Sequence, residues 1–144
     1  MALPRTLLQG WNVLVVDDEP DSLEVAVRIL RFYSASVITA NNGLEGIELA
    51  KVNRPKLIIS DISMPVADGW EFIHSLKTNL STQEIPAIAL TAHAMVGDRQ
   101  RAMAAGFYNY ISKPLTAATF IKELLRILID IPEFTENFKE VNSV

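Results

Sequence analysis

Short apolar runs alternate with longer mixed segments along the chain. NVLVV (12–16) is apolar at consecutive positions, with no polar residue at every second place, as expected of a parallel strand buried on both faces. A helix is predicted from about Pro20 to Tyr33. Pro20 suits a first helical turn, and Asp18, Glu19 and Asp21 complement the positive end of its dipole. SVITA (36–40) is the next strand, followed by the Asn41-Asn42-Gly43 turn and a helix over about 44–52. Pro55 interrupts the chain before the strand LIIS (57–60). Helix, strand, helix and strand then follow at 69–77, 87–90, 97–105 and 110–112, with Pro86 opening the second of these and Gly106 stopping the third. A last long helix runs from about Thr116 to Asp130.

Strand and helix thus alternate through five βα units. That order implies an α/β fold in which a doubly wound parallel sheet carries helices on both faces through right-handed crossovers. In such sheets ligands bind beyond the carboxyl ends of the strands, near the point where strand order reverses. The first strand ends in Asp17-Asp18, the third in Asp61, the fourth in Thr91 and the fifth near Lys113. The second ends at Ala40, with no reactive group.

Composition narrows the chemistry. The 144 residues are 49% hydrophobic and 21% charged, enough to bury one core. The net charge of −4 gives no support for a nucleic-acid-binding surface. With no cysteine, disulfides and thiolate metal sites are excluded, and only His74 and His93 are available as imidazole ligands. The start lacks the apolar core of a signal peptide, and no run is long enough to span a membrane, so a cytoplasmic protein is expected.

Three carboxylates in one pocket repel each other, so either one stays protonated or a cation sits among them. Hard oxygen ligands suit Mg2+, which keeps waters and takes a few carboxylates plus a phosphate; Mn2+ is the natural substitute. One carboxylate is then left as a nucleophile. Its attack on phosphorus gives an aspartyl phosphate whose oxygens a Lys and a Thr hydroxyl can hold. Taken singly, each residue has a plainer reading: helix cap, solvated loop or surface charge.

The segments VVDDEP (15–20), DISMPVADG (61–69), LTA (90–92) and YISKP (110–114) closely resemble the receiver domain of two-component response regulators, including single-domain chemotaxis regulators. The resemblance covers about residues 11–130, leaving an N-terminal extension (1–10) and a C-terminal tail (131–144). It implies a flavodoxin-like (βα)5 sandwich with strand order 2-1-3-4-5. It also implies that Asp61 is the phosphoacceptor, Asp18 the direct Mg2+ ligand, Asp17 a ligand often acting through water, and the Ser63 backbone carbonyl the remaining protein ligand. Thr91 and Tyr110 are implied as the switch pair and Lys113 as the phosphoryl-oxygen partner, with the Lys113-Pro114 bond commonly cis. The implied phosphodonor is a phosphohistidine on a histidine kinase or histidine phosphotransfer protein. The receiver would catalyse only its own phosphorylation and dephosphorylation, switching a surface read by a downstream protein target. Ser63 and His93 occupy the positions that tune phosphate lifetime; His93 either shields the acyl phosphate or is an ordinary loop residue.

Outside the pocket, Leu23, Ala26, Val27 and Leu30 share one stripe of the first helix and should face the sheet. Val25 and Ile29, with Phe32 at the edge, fall on the opposite side. They either dock the phosphodonor, as the resemblance implies, or lie under the leading segment with Leu3, Leu7 and Leu8. In the last helix Phe120, Ile121, Leu124, Leu125, Ile127 and Leu128 span close to half the circumference, which suggests homodimerisation there or a large core contact. Phe134, Phe138 and Val141 suit a short extra helix lying on the domain, with Thr135 as its candidate cap. No DNA-binding output domain is expected in so short a tail.

Three rival readings make distinct demands. An FMN-binding sandwich needs Ser, Thr, Gly and backbone N–H groups in its first loop, where this chain has DDEP. A haloacid-dehalogenase-type phosphatase sets its paired acids two apart, whereas Asp17 and Asp18 are adjacent. A degenerate receiver serving only as an interaction module has no need to keep all five key side chains.

Overall fold

In a computed structural model of the chain, residues 3–62, 68–92 and 98–138 are described. Five parallel strands form one sheet: β1 (Asn12–Val16), β2 (Ser36–Ala40), β3 (Leu57–Asp61), β4 (Ala87–Thr91) and β5 (Asn109–Ser112), in the order β2-β1-β3-β4-β5. Between and after them lie α1 (Pro20–Phe32), α2 (Gly43–Asn53), α3 (Gly69–Thr78), α4 (Asp98–Ala105) and α5 (Phe120–Asp130), and a 3-10 helix (Pro132–Phe138) follows. The strand order reverses at β1 and β3, which places the switch point between the tips of those two strands.

The apolar runs explain the two cores. Along β1, Val13 and Val15 enter a layer built with α1 and α5, while Leu14 and Val16 enter the layer under α2, α3 and α4. β3 divides in the same way, Leu57 and Ile59 against Ile58. A strand buried on both faces is apolar along most of its length, and the exception in β3, fully buried Ser60, donates its hydroxyl to the Asp61 carbonyl at 3.0 Å.

Local signals set the helix ends. Pro20 opens α1. The Asn42 side chain accepts from the Glu45 N–H at 2.9 Å and Asp68 from the Glu71 N–H at 3.0 Å, capping α2 and α3. Gly106 follows α4 with φ +122. α5 begins at Phe120, later than expected from Thr116. The Thr116 hydroxyl accepts from the Thr119 N–H at 3.2 Å and pairs with the Thr119 hydroxyl at 2.7 Å, so this stretch forms a turn that leads into the helix.

The chain on either side of the sandwich packs into the α1/α5 core. Leu8 and Phe138 are fully buried and Phe134 nearly so. The Trp11 ring lies 4.6 Å from Phe134 and 5.6 Å from Phe138, with the Lys56 ammonium 4.4 Å from the Trp11 ring centre. The expected extra helix is therefore present as a 3-10 turn sequence. Thr135 is not its N-cap. It sits inside the element, and its hydroxyl donates to the carbonyls of Ile129 and Ile131 at 3.1 and 3.3 Å, tying the tail to the end of α5. Val141 lies outside the described residues.

Burial decides between the open readings of two surfaces. All six apolar residues of the α5 arc are buried within the chain, so the arc is a core contact and gives no motive for pairing two copies. Ile29, expected on a free face, is 8% exposed, because α1 packs against α5 as well as against β1 and β2 and so buries two stripes. The leading segment docks at the far end of α1. Leu8 N–H donates to the Tyr33 carbonyl at 2.8 Å, the Ser34 hydroxyl donates to the Arg5 carbonyl at 2.7 Å, and the Arg5 guanidinium lies over the Phe32 ring.

Candidate functional site

Strand register assembles the site. β1 and β3 pair from Val13 with Leu57 through Val16 with Ser60. One further step along both strands sets Asp17 beside Asp61, at the spacing of neighbouring strands, about 4.8 Å. Bonds to the flanking strands hold both tips: Asp17 N–H donates to the Ala40 carbonyl of β2 at 3.1 Å and Ile62 N–H to the Leu90 carbonyl of β4 at 3.1 Å. On the other side Thr91 pairs with Ser112, and Lys113 N–H donates to the Thr91 carbonyl at 2.8 Å. The Lys113-Pro114 peptide bond is cis.

At the tips, Asp17 is fully buried, Asp61 is 4% exposed and Thr91 is 9% exposed. The Lys113 ammonium stands among the acids. It donates to Asp17 Oδ1 at 3.2 Å, to Asp61 Oδ2 at 3.2 Å and to Glu19 Oε1 at 2.5 Å. Those three bonds use all three of its N–H groups. Burial alone would lower the Lys113 pKa. The hydrogen bond to Glu19, the bond and charge of Asp17 and the charge of Asp61 outweigh it and hold the group above its ordinary value, so the ammonium is firmly charged.

Carboxylate oxygens of Asp17, Glu19 and Asp61 lie within 4.8 Å of one another. Three carboxylates against one ammonium leave two negative charges, the complement of a divalent cation. Asp17 shows where such an ion would find an unmet ligand. Its Oδ1 accepts from the Glu19 N–H at 2.9 Å and from Lys113. Its buried Oδ2 has no hydrogen-bond donor aimed at it, although the Lys113 nitrogen is 3.0 Å away. The contact to Oδ2 is ionic only, and a buried oxygen in that state suits a metal ion. The residues present therefore fit a hard divalent cation.

Asp18, expected as the direct ligand, is exposed and does not join the acidic group, whereas Glu19 does. The local reason is that Asp17 bonds the Glu19 amide and α1 starts at Pro20, a turn that holds Glu19 near Lys113. Sequence reading assigned Glu19 only to the helix dipole; its place directly after the acidic pair was the available signal. Tyr110 is half-buried, packs against the α2–α4 core and lines an open cleft with Arg99, Glu123 and Arg126. Ser63 and His93 lie outside the described residues. Val25 is half-buried against the α1/α5 core, and Ile29 reaches the surface only in a shallow groove shared with Phe32 and Ala117.

Residues 13–125 match the response regulator receiver domain. The polar-differentiation response regulator DivK of Brucella anthropi is 35% identical over 119 residues, covering 83% of this chain and 97% of the relative. Among solved structures, the chemotaxis response regulator CheY4 of Vibrio cholerae superposes with a TM-score of 0.77 at 30% identity, over 82% of this chain and 98% of that one. The receiver domain of a Pseudomonas aeruginosa sensor histidine kinase, solved with a magnesium ion coordinated in its active-site cleft, gives a TM-score of 0.72 at 31% identity, over 81% and 96%. The chain belongs to the response regulator receiver family and functions in phosphorelay signal transduction. It is a phosphoacceptor switch with a site for a divalent metal.

Proposed function

We propose that Asp61 is the phosphoacceptor, that the metal is Mg2+ and that the donor is a phosphohistidine on a kinase or phosphotransfer protein. The observation that carries this reading is the register-matched pair Asp17 and Asp61, buried side by side with Lys113 between them. In the reaction, an Asp61 carboxylate oxygen attacks phosphorus, the P–N bond to the donor imidazole breaks, and the neutral ring leaves after taking up a proton. Lys113, already 3.2 Å from Asp61, turns to an oxygen of the transferred group. Asp17, Asp18 and Asp61 would hold the metal together with the Ser63 backbone carbonyl, Asp17 and Asp61 being the buried members of that set and Asp18 the exposed one. Bound Mg2+ would neutralise charge on the phosphoryl oxygens.

Thr91 and Tyr110 form the switch pair, and the cleft beside Tyr110 is the surface a downstream protein target reads. Ser63 and His93 tune the lifetime of the phosphate. Val25 and the edge of Phe32 contribute to the donor-docking surface. We place the protein in the cytoplasm, where such donors act. Among the described residues no helix is long and apolar enough to cross a membrane.

Transfer of labelled phosphate from a panel of phosphorylated histidine kinases and phosphotransfer domains tests the reading. One or a few donors should label the wild type rapidly and the Asp61→Asn variant not at all. Equal labelling of the variant would refute Asp61 as the acceptor.

A further inference from the structure

The end of α1 is shared with the segment that precedes the family match. Ser34, just past α1, has φ +75, in the left-handed region that favours glycine, and its hydroxyl donates to the Arg5 carbonyl at 2.7 Å. Leu8 N–H donates to the Tyr33 carbonyl at 2.8 Å, and the fully buried Leu8 side chain anchors the segment. Arg5 is thereby set over α1, its guanidinium 4.6 Å from the Phe32 ring centre. Phe32 also meets the Tyr33 ring edge-on at 5.0 Å, so a ring that is 50% exposed is held from two sides. Beside it runs a groove of about 300 Å3, with Ile29 in its floor and Arg28, Tyr33 and Ala117 around it. Ala117 belongs to the short stretch between Lys113 and α5, which links the groove to the strand tip that carries the site.

Charge decides what fits. A guanidinium stacked on a ring keeps its N–H edge for a carboxylate, and among the described residues Arg5 has no carboxylate within ion-pair distance. Arg28 is paired with Glu24, but those side chains are 78% and 59% exposed, so the pair exchanges at little cost. Arg31 adds an exposed guanidinium in the last turn, whereas the exposed acids of α1, Asp21 and Glu24, lie in its first half. In a chain of net charge −4, this end of α1 is a cationic patch around an aromatic groove. A symmetric pairing of two copies would set these arginines against each other. We infer that the leading segment is part of the donor-docking surface: Arg5 and Arg28 receive carboxylates of the phosphodonor, and an apolar side chain beside those carboxylates enters the groove over Ile29. Arg5 precedes the residues matched to the family, so it sets a donor preference that belongs to this chain. The inference rests on the reading of the chain as an acceptor from a phosphohistidine protein.

The test uses the full chain and the phosphorylated kinase or phosphotransfer domain that labels the wild type fastest in the panel above. The second-order rate of transfer should fall about two- to fivefold in Arg5→Ala and about tenfold in Arg5→Glu, the scale of one exposed cation and of its reversal. Both losses should shrink in high salt, which a purely structural contact would not show. Labelling by acetyl phosphate, which needs no docking surface, should keep its wild-type rate in both variants. Transfer from the protein donor at the wild-type rate in Arg5→Glu would overturn the inference, as would equal slowing with both donors. Sedimentation showing a wild-type dimer that Arg5→Glu disperses would overturn it in favour of a second copy of the chain. Failure of acetyl phosphate and Mg2+ to label the wild type would instead overturn the phosphoacceptor reading.

Discussion

Phe138→Ala probes whether the tail belongs to the folded domain, because residues 132–138 lie beyond the stretch shared with the receiver family. Phe138 is fully buried, and its ring stands 5.6 Å from that of Trp11. Truncating a buried Phe to Ala costs about 3–5 kcal/mol, of which roughly 0.5–1.5 kcal/mol is the aromatic pairing. The position near the chain end sets a ceiling. If the hole is too costly, the 3-10 helix undocks, and the loss stops at the free energy that docks it. We therefore expect about 3 kcal/mol, a large part of the 5–15 kcal/mol typical of a domain, and a fall in Tm of roughly 10 °C. Urea unfolding of the full chain, followed by tryptophan fluorescence and far-ultraviolet circular dichroism, measures it. Undocking also predicts a red-shifted Trp11 emission before unfolding, since the indole loses both aromatic neighbours. A loss below about 1 kcal/mol with unchanged emission would show that the tail is not part of the core.

Gly69→Ala should both destabilise the domain and impair phosphoryl acceptance. An added Cβ would stand 2.4 Å from Ile62 Cα and 2.5 Å from the Asp61 carbonyl oxygen, so backbone beside the acceptor must shift, at about 1–3 kcal/mol in thermal or urea unfolding. Lys113→Met removes the cation between two buried acids and should cost about 3–5 kcal/mol in a chelator, with part recovered on adding Mg2+; no recovery would count against a metal at Asp17 and Asp61. Lys77 donates to the carbonyls of Gln83 and Ile85 at 3.1 and 2.9 Å, and burial lowers its pKa from 10.5 despite the charges of Glu84 and Glu133. Between the lowered folded value and 10.5 the unfolded chain holds a proton that the folded chain has released, so wild-type stability should rise with pH there relative to Lys77→Met and be level below that window, as urea midpoints across pH would record.

The sheet and most of the site were legible in sequence for one physical reason. A strand buried on both faces is apolar along most of its length, so NVLVV, LIIS and AIAL mark themselves and the polar residue that follows each run marks its tip. Asp17, Asp61, Thr91 and Lys113 were found that way. Glu19 was not, because chain order tells which residue follows the acidic pair but not that the turn bonded by Asp17 leaves its carboxylate on Lys113. Ile29 was misplaced because an angular count assumes one buried stripe, whereas α1 is wedged between the sheet and α5. The floor made by Trp11, Phe134 and Phe138 joins residues from opposite ends of the chain, a contact that no local periodicity encodes.

Intact-protein mass spectrometry after incubation with acetyl phosphate and Mg2+ tests the central claim most directly, since the small donor needs no docking surface. The account predicts one added phosphoryl group on the wild type, labile to hydroxylamine, not formed when a chelator replaces Mg2+ and absent from Asp61→Asn. The same addition to Asp61→Asn, or none to the wild type with Mg2+ present, would contradict it.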